Sequence, residues 1–143
     1  MKNLLIVLIV TLSGIISISA QSVTGKWYTI DPDTNEKETI IEVYQENNKV
    51  YAKIIQLLQD EDQGKVCDKC TGKDKDQPIE GMVILKGLEK DDDEWSGGQI
   101  LDPKNGSYYK CYITLVEKNK LKIRGFIGFS LLGRTEYWYR HID

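Results

Sequence analysis

The 143-residue sequence predicts an all-β fold, a small antiparallel up-and-down β-barrel of about eight strands behind a cleaved leader. Three observations carry this. Apolar residues alternate with polar ones at period two more often than at 3.6. The alternating runs are short and are separated by Asn, Asp, Pro and Gly turn signals, with no convincing long helix among them. Tryptophan motifs stand at both ends, Gly25-Lys26-Trp27 and Trp138-Tyr139-Arg140, as expected where the first and last strands of one curled sheet lie side by side. A closed sheet has no unpaired edge and can enclose a ligand.

The leader comes first. Met1-Lys2-Asn3 carries one positive charge, Leu4 to Ile18 is almost wholly apolar, and Ser19-Ala20-Gln21 returns to small and polar residues. This is the layout of a secretory signal peptide, cleaved after Ser19 or Ala20. The apolar run is shorter than the roughly 20 residues of a membrane span. Residues 1–20 are therefore predicted to be a signal peptide and residues 21–143 one barrel domain, exported to the periplasm or the cell exterior. Loss of the leader removes one Lys and no acid, which takes the formal charge from −3 to −4. An acidic chain with interspersed charges shows no electrostatic footprint for nucleic acid. It has no basic amphipathic stretch for anionic lipid, so contact with the membrane is expected only through export.

The strands follow in order. Gly25–Ile30 is the first. Glu38–Tyr44 sets Glu42 and Tyr44 against Ile41 and Val43. Asn47-Asn48 suits a tight turn because Asn tolerates positive φ. Lys49–Leu58 precedes a long polar excursion from Asp60 to Pro78. Met82–Leu88 is assigned as strand, although Ile84, Leu85 and Leu88 would also suit one helical turn. Glu89 to Glu94 reads as a solvated hairpin tip, since it lacks the ligand spacing of a calcium loop. Trp95–Leu101 contains Gly97-Gly98, and glycine inside a strand marks a bend or bulge of the kind barrel closure needs. Asp102-Pro103-Lys104-Asn105-Gly106 is a turn, with Asn105 and Gly106 suited to left-handed positions. In the next run Tyr109, Cys111, Ile113 and Leu115 face the core. Asn119-Lys120 turns the chain into Leu121–Leu131, where Leu121, Ile123, Gly125, Ile127, Phe129 and Leu131 share the core parity. Arg134–His141 is the last strand.

Candidate chemistry is sparse. Cys67-Asp68-Lys69-Cys70 is expected to form a short-range disulfide in an oxidising compartment, pinning the polar excursion. A redox thiolate would need a helix N-terminus, and zinc would need about four ligands; the surroundings suggest neither. Cys111 reads as a buried free thiol. The single histidine, His141, sits almost at the chain end, a poor place for nucleophilic catalysis. No catalytic residue, metal or cofactor is expected. The aromatic residues are more informative. Trp27 and Trp138 are expected to fill the barrel, whereas Trp95 and Tyr109 are candidates to contact a ligand. Arg134 is a candidate to recognise an anionic headgroup, and Arg124, on the polar parity, is expected to cap strand ends or stack on rings outside the barrel.

The order of these motifs, through Trp95-Ser96-Gly97-Gly98-Gln99-Ile100-Leu101-Asp102-Pro103-Lys104-Asn105-Gly106, Leu121-Lys122-Ile123-Arg124-Gly125-Phe126-Ile127-Gly128 and Leu132-Gly133-Arg134-Thr135, resembles the bacterial exported family known as domain of unknown function 2147. The resemblance covers essentially the whole mature chain. It implies a calycin-like barrel distantly similar to lipocalins, and it implies no particular activity. Lipocalins also open with Gly-x-Trp, and a late Arg packs across that Trp. Here this implies a structural latch between Trp27 and Arg140.

The leading expectation is a non-catalytic exported protein that binds a small apolar or amphipathic ligand. The alternatives are a cell-envelope interaction module with a filled barrel, using the Asp60–Pro78 loop as its contact surface, and a thiol-redox protein using Cys67 and Cys70.

Overall fold

The computed structural model describes residues 21–143, so the predicted signal peptide lies outside the described residues. The chain forms eight strands, β1 (Gly25–Ile30), β2 (Lys37–Glu46), β3 (Lys49–Leu57), β4 (Val83–Asp91), β5 (Glu94–Asp102), β6 (Ser107–Glu117), β7 (Lys120–Phe126) and β8 (Gly133–Arg140). Each pairs antiparallel with the next, and β8 returns to β1, closing the barrel. Two single-turn 3-10 segments, Asp60–Asp62 and Gly72–Asp74, interrupt the excursion between β3 and β4. The run assigned to Met82–Leu88 is strand from Val83 onward, because Leu85 pairs with both Ala52 and Ile100.

The strand register sorts the connections onto two ends. The two-residue turns at 47–48, 92–93 and 118–119 share one end with the start of β1 and the finish of β8. Asn47 and Asn48 both take positive φ, 50° and 63°, as a twisted two-residue hairpin requires. The longer connections, 31–36, 58–82, 103–106 and 127–132, rim the opposite end. The barrel thus has a tight end and an open end.

The tight end is packed solid. Trp27, Val50, Leu88, Ile113 and Leu121 are completely buried there, and Val23 lies across them as a plug. Trp27 donates its indole N–H to the Val23 carbonyl at 2.9 Å. The Arg140 guanidinium lies 4.1 Å from the Trp27 ring centroid. Its nitrogens donate to the carbonyls of Ser22, Thr24 and Lys118 at 2.8, 3.2 and 3.1 Å. One planar cation thus holds the entering chain, the last hairpin turn and the first core aromatic together. Its partial burial lowers its pKa from the ordinary arginine value, without bringing it near neutrality.

Gly97 takes φ +81°, and the β5–β6 register shifts between Trp95 and Gly98. This is a glycine bulge, which bends the strand as closure requires. Gly98 faces β4 so closely that a Cβ there would meet the Lys86 carbonyl oxygen at 2.2 Å.

Three sequence expectations need correction. The Leu121–Leu131 strand ends at Phe126, whose partner Gly133 is the last in register. Ile127, Phe129 and Leu131 therefore leave the core face and stand 68%, 60% and 83% exposed. Their alternation continues past the end of pairing, and Gly128 at φ +73° turns the chain away. The turn assigned to Asn119-Lys120 occupies Lys118-Asn119, with Lys120 already paired to Glu117 and Tyr139. In the Asp102–Gly106 turn only Gly106 is left-handed; Asn105 instead uses its side-chain oxygen to accept from the Ser107 N–H at 2.9 Å.

Removing the Arg140 side chain deletes a cation–π contact and three charge-assisted hydrogen bonds. Arg140→Ala should lower unfolding stability by about 2 kcal/mol, read from urea denaturation, while Arg140→Lys recovers part of it.

Candidate functional site

The barrel is only half filled. Toward the open end its interior holds a cavity of about 770 Å³. Side chains of Ile41, Ile54, Leu57, Ile84, Ile100 and Ile123 line its walls, each supplied by the inward parity of a strand. Trp138 lies against it from the packed end. Branched aliphatic residues suit this position twice over, because they favour extended backbone and present rigid apolar walls.

Gly125 lies on the core parity of β7 and lines the cavity. A Cβ built there would meet only Ile100 Cγ2 and Tyr109 Cβ, both at 3.7 Å. The missing side chain is therefore a direct source of the open space.

The rim is charged, and each of its cations is paired with an acid. Arg134 Nη2 lies 2.8 Å from Glu136 and 3.5 Å from Asp102. Lys104 reaches Glu38 at 2.5 Å, and Lys65 reaches Asp62 at 2.5 Å. Burial lowers the Lys104 pKa, but its bond to Glu38 and the nearby acids outweigh this and hold it above the ordinary lysine value. Two polar atoms of cavity residues lack partners. Thr29 Oγ1 and the Trp138 indole N–H are buried with no hydrogen-bond partner among the described residues. Such atoms cost about 1–3 kcal/mol each when left unpaired.

Cys67 and Cys70 are joined as a disulfide, Cα–Cα 5.3 Å, and both are buried. Neither opens an α-helix. The pair anchors the excursion onto the β5–β6 turn. Cys67 Sγ lies 3.5 Å from the Pro103 carbonyl oxygen. Gly106 abuts the same loop, where a Cβ would meet the Lys69 carbonyl oxygen at 2.0 Å. A second tie runs outside the wall. Tyr108 donates to Asp74 at 2.5 Å and accepts from Lys86 at 2.6 Å. Burial, then the bond to Asp74, pushes the Tyr108 pKa up to about 12. The excursion is thereby fixed beside the mouth and contributes Asp62, Lys65 and Ile79 to the cavity lining.

The family model described as "Uncharacterized protein conserved in bacteria (DUF2147)" matches residues 25–140. The chain belongs to this family. Among solved structures it is similar to a protein from the human pathogen Helicobacter pylori described as belonging to the lipocalin family. The TM-score is 0.74 at 20% identity, over 87% of this chain and 86% of that one. This likeness establishes a lipocalin-like fold for the DUF2147 chain. No curated protein matches it. Among the described residues no helix is long and apolar enough to cross a membrane.

The barrel separates the residues singled out in the sequence. Tyr109 and Arg134 both line the cavity, Tyr109 on the wall with its hydroxyl accepting from Asn105 at 2.9 Å, and Arg134 at the exposed rim. Trp95 lies elsewhere. It pairs with Ile113 in the packed half, with Lys90 5.5 Å from its ring centroid. The Gly97 bulge reverses parity and so puts Trp95 on the same face as Gly98 and Ile100, which a strict period-two reading does not register. Trp27 and Arg140 meet at the end opposite the mouth. Arg124 holds the β7–β8 loop, donating to Ser130 O at 2.7 Å and Thr135 Oγ1 at 3.1 Å. The sequence reading missed Thr29, which carries no signal in an alternating strand. It also passed over the volume left by Gly125, signalled by one glycine on a face of Ile and Leu.

Burial pushes the free Cys111 thiol up to about 12 from 9.0. A raised acid favours the protonated native state, so its contribution is complete below about pH 9 and declines as pH rises toward 12. Iodoacetamide near pH 8 should leave Cys111 unmodified in native protein and alkylate it after denaturation, as read by mass spectrometry. Replacing Cys67 and Cys70 together by Ser should lower stability by about 2 kcal/mol in the chain-entropy model. Protease should then cleave first between Asp60 and Pro78, detectable by peptide mapping.

Proposed function

We propose that the DUF2147 chain is a non-catalytic binding protein that holds a small apolar or amphipathic molecule in the open half of its barrel. The observation that carries this reading is the cavity itself. Its volume of about 770 Å³ falls within the roughly 300–1,000 Å³ usual for ligand sites. A barrel serving only as an interaction module has no need of that space, and leaving it costs packing energy. The aliphatic walls suit a hydrocarbon chain or ring, while Tyr109, Arg134 and the paired rim charges suit a polar end at the mouth. Thr29 and Trp138 offer hydrogen bonds to a ligand oxygen that reaches deeper.

Gly125 supplies the test. Gly125→Phe projects a ring into the cavity from a strand position without backbone conflict. It should weaken binding of a fluorescent fatty-acid analogue by about tenfold or more, and thermal unfolding should stay the same or rise, since glycine weakens a strand. Equal binding by both proteins would place the ligand elsewhere or nowhere. Native mass spectrometry of protein taken from its own cell envelope should show a co-purifying small molecule that Gly125→Phe loses. Thr29→Val, close in shape, should stabilise the empty barrel by about 1 kcal/mol in urea denaturation.

A further inference from the structure

The loop between β7 and β8 is apolar where loops are usually polar. Ile127, Phe129, Leu131 and Leu132 stand 68%, 60%, 83% and 61% exposed within residues 127–132, which contain no charged residue. Single exposed apolar side chains are ordinary, whereas a cluster marks a contact surface. This cluster sits at the cavity mouth, and Ile127 and Leu132 line the cavity as well. The apolar surface therefore runs without interruption from the loop into the barrel.

Two features indicate what it contacts. First, the loop pairs its own carbonyls at residues 129–132 and the N–H groups at its two ends. The Ile127 N–H donates to the Leu132 carbonyl at 3.1 Å, and the Leu132 N–H to the Phe129 carbonyl at 3.0 Å. The Arg124 guanidinium covers the carbonyls of Ser130 and Leu131, at 2.7 and 3.3 Å. Hydrocarbon supplies no hydrogen bonds, so a loop of this kind places its apolar side chains in the lipid and keeps the N–H groups of residues 128–131, which have no partner among the described residues, in the hydrated headgroup layer. Second, each of the rim cations Lys65, Lys104 and Arg134 is paired with an acid, and the four acids involved leave the rim with one negative charge in excess. A rim whose cations are already paired, on a chain of formal charge −3, disfavours an anionic headgroup layer and favours a zwitterionic one.

We infer that the 127–132 loop inserts into the surface of a zwitterionic phospholipid bilayer and seats the barrel mouth on it. Docking stands on the loop alone. Its consequence, that the cavity exchanges its ligand with the bilayer, rests on the binding reading above.

The test is co-sedimentation with phosphatidylcholine vesicles, using protein expressed from the full-length chain. Wild type should pellet with the vesicles, and raising the salt should change this little. The double variant Phe129→Ser, Leu131→Ser should partition about tenfold less or weaker still. Because both side chains are exposed, its thermal unfolding should match wild type. Its binding of the fluorescent fatty-acid analogue in vesicle-free solution should also match, which separates loss of docking from loss of the cavity site. Wild-type protein that stays in the supernatant overturns the inference. So does protein that pellets only with anionic vesicles and is released by salt, or a double variant that pellets equally. Self-association that the double variant abolishes, without vesicle partition, would overturn it too and give the loop to a second copy of the chain.

Discussion

The closure between β1 and β8 is the constraint on which the barrel depends. It has two residue pairs in register, Trp27 with Arg140 and Tyr28 with Tyr139, whereas β2 and β3 share eight. Side chains reinforce what the short ladder lacks. Inside, Trp27 fills the tight end and hydrogen-bonds Val23, which plugs it. Over that end, Arg140 covers the Trp27 ring and binds the carbonyls of Ser22, Thr24 and Lys118. Outside, Tyr28 and Tyr139 stack with centroids 5.6 Å apart. If the seam opened, β1 and β8 would become unpaired edges and the core would be wetted.

Concentrating packing at this end makes the hollow at the other end tolerable. Trp27, Trp138 and the aliphatic residues around them give the lower barrel a dense core. The upper barrel can then leave Gly125 without a side chain and Thr29 without a partner. The mouth is stiffened by other means. The Cys67–Cys70 disulfide, the close approach of Gly106 to Lys69, and the Asp74–Tyr108–Lys86 cluster fix the long excursion to the wall. Arg124 does the same for the β7–β8 loop from the outer face. Stability and opening are thus assigned to opposite ends, which lets the mouth vary without endangering closure.

Much of this was legible in the residues, and the failures have physical causes. Alternation identified the strands because one face of each meets the core and the other meets water. It placed Tyr109 and Cys111 on the inward face, and it placed Arg124 on the outward one. It failed at Ile127, Phe129 and Leu131, where the alternation outlasts the pairing that gives it meaning. It could not locate Trp95, since the Gly97 bulge sets three residues of β5 against two of β6 and so reverses the parity between Trp95 and Ile100.

The sequence by itself determined the fold class, the strand order, the buried thiol and the pairing of Cys67 with Cys70. These follow from local periodicity, turn chemistry and short-range spacing. Only the tertiary structure decided that the barrel is half hollow, that each cation of its rim is paired with an acid, and that four apolar side chains of one loop stand unburied at the mouth. The hollow and the Lys104–Glu38 and Arg134–Asp102 pairs depend on how strands distant in sequence stagger around the barrel, and the exposed loop depends on where the β7–β8 pairing stops. Alternation records the face on which a side chain points, but it does not record the height at which that side chain sits or what stands across from it.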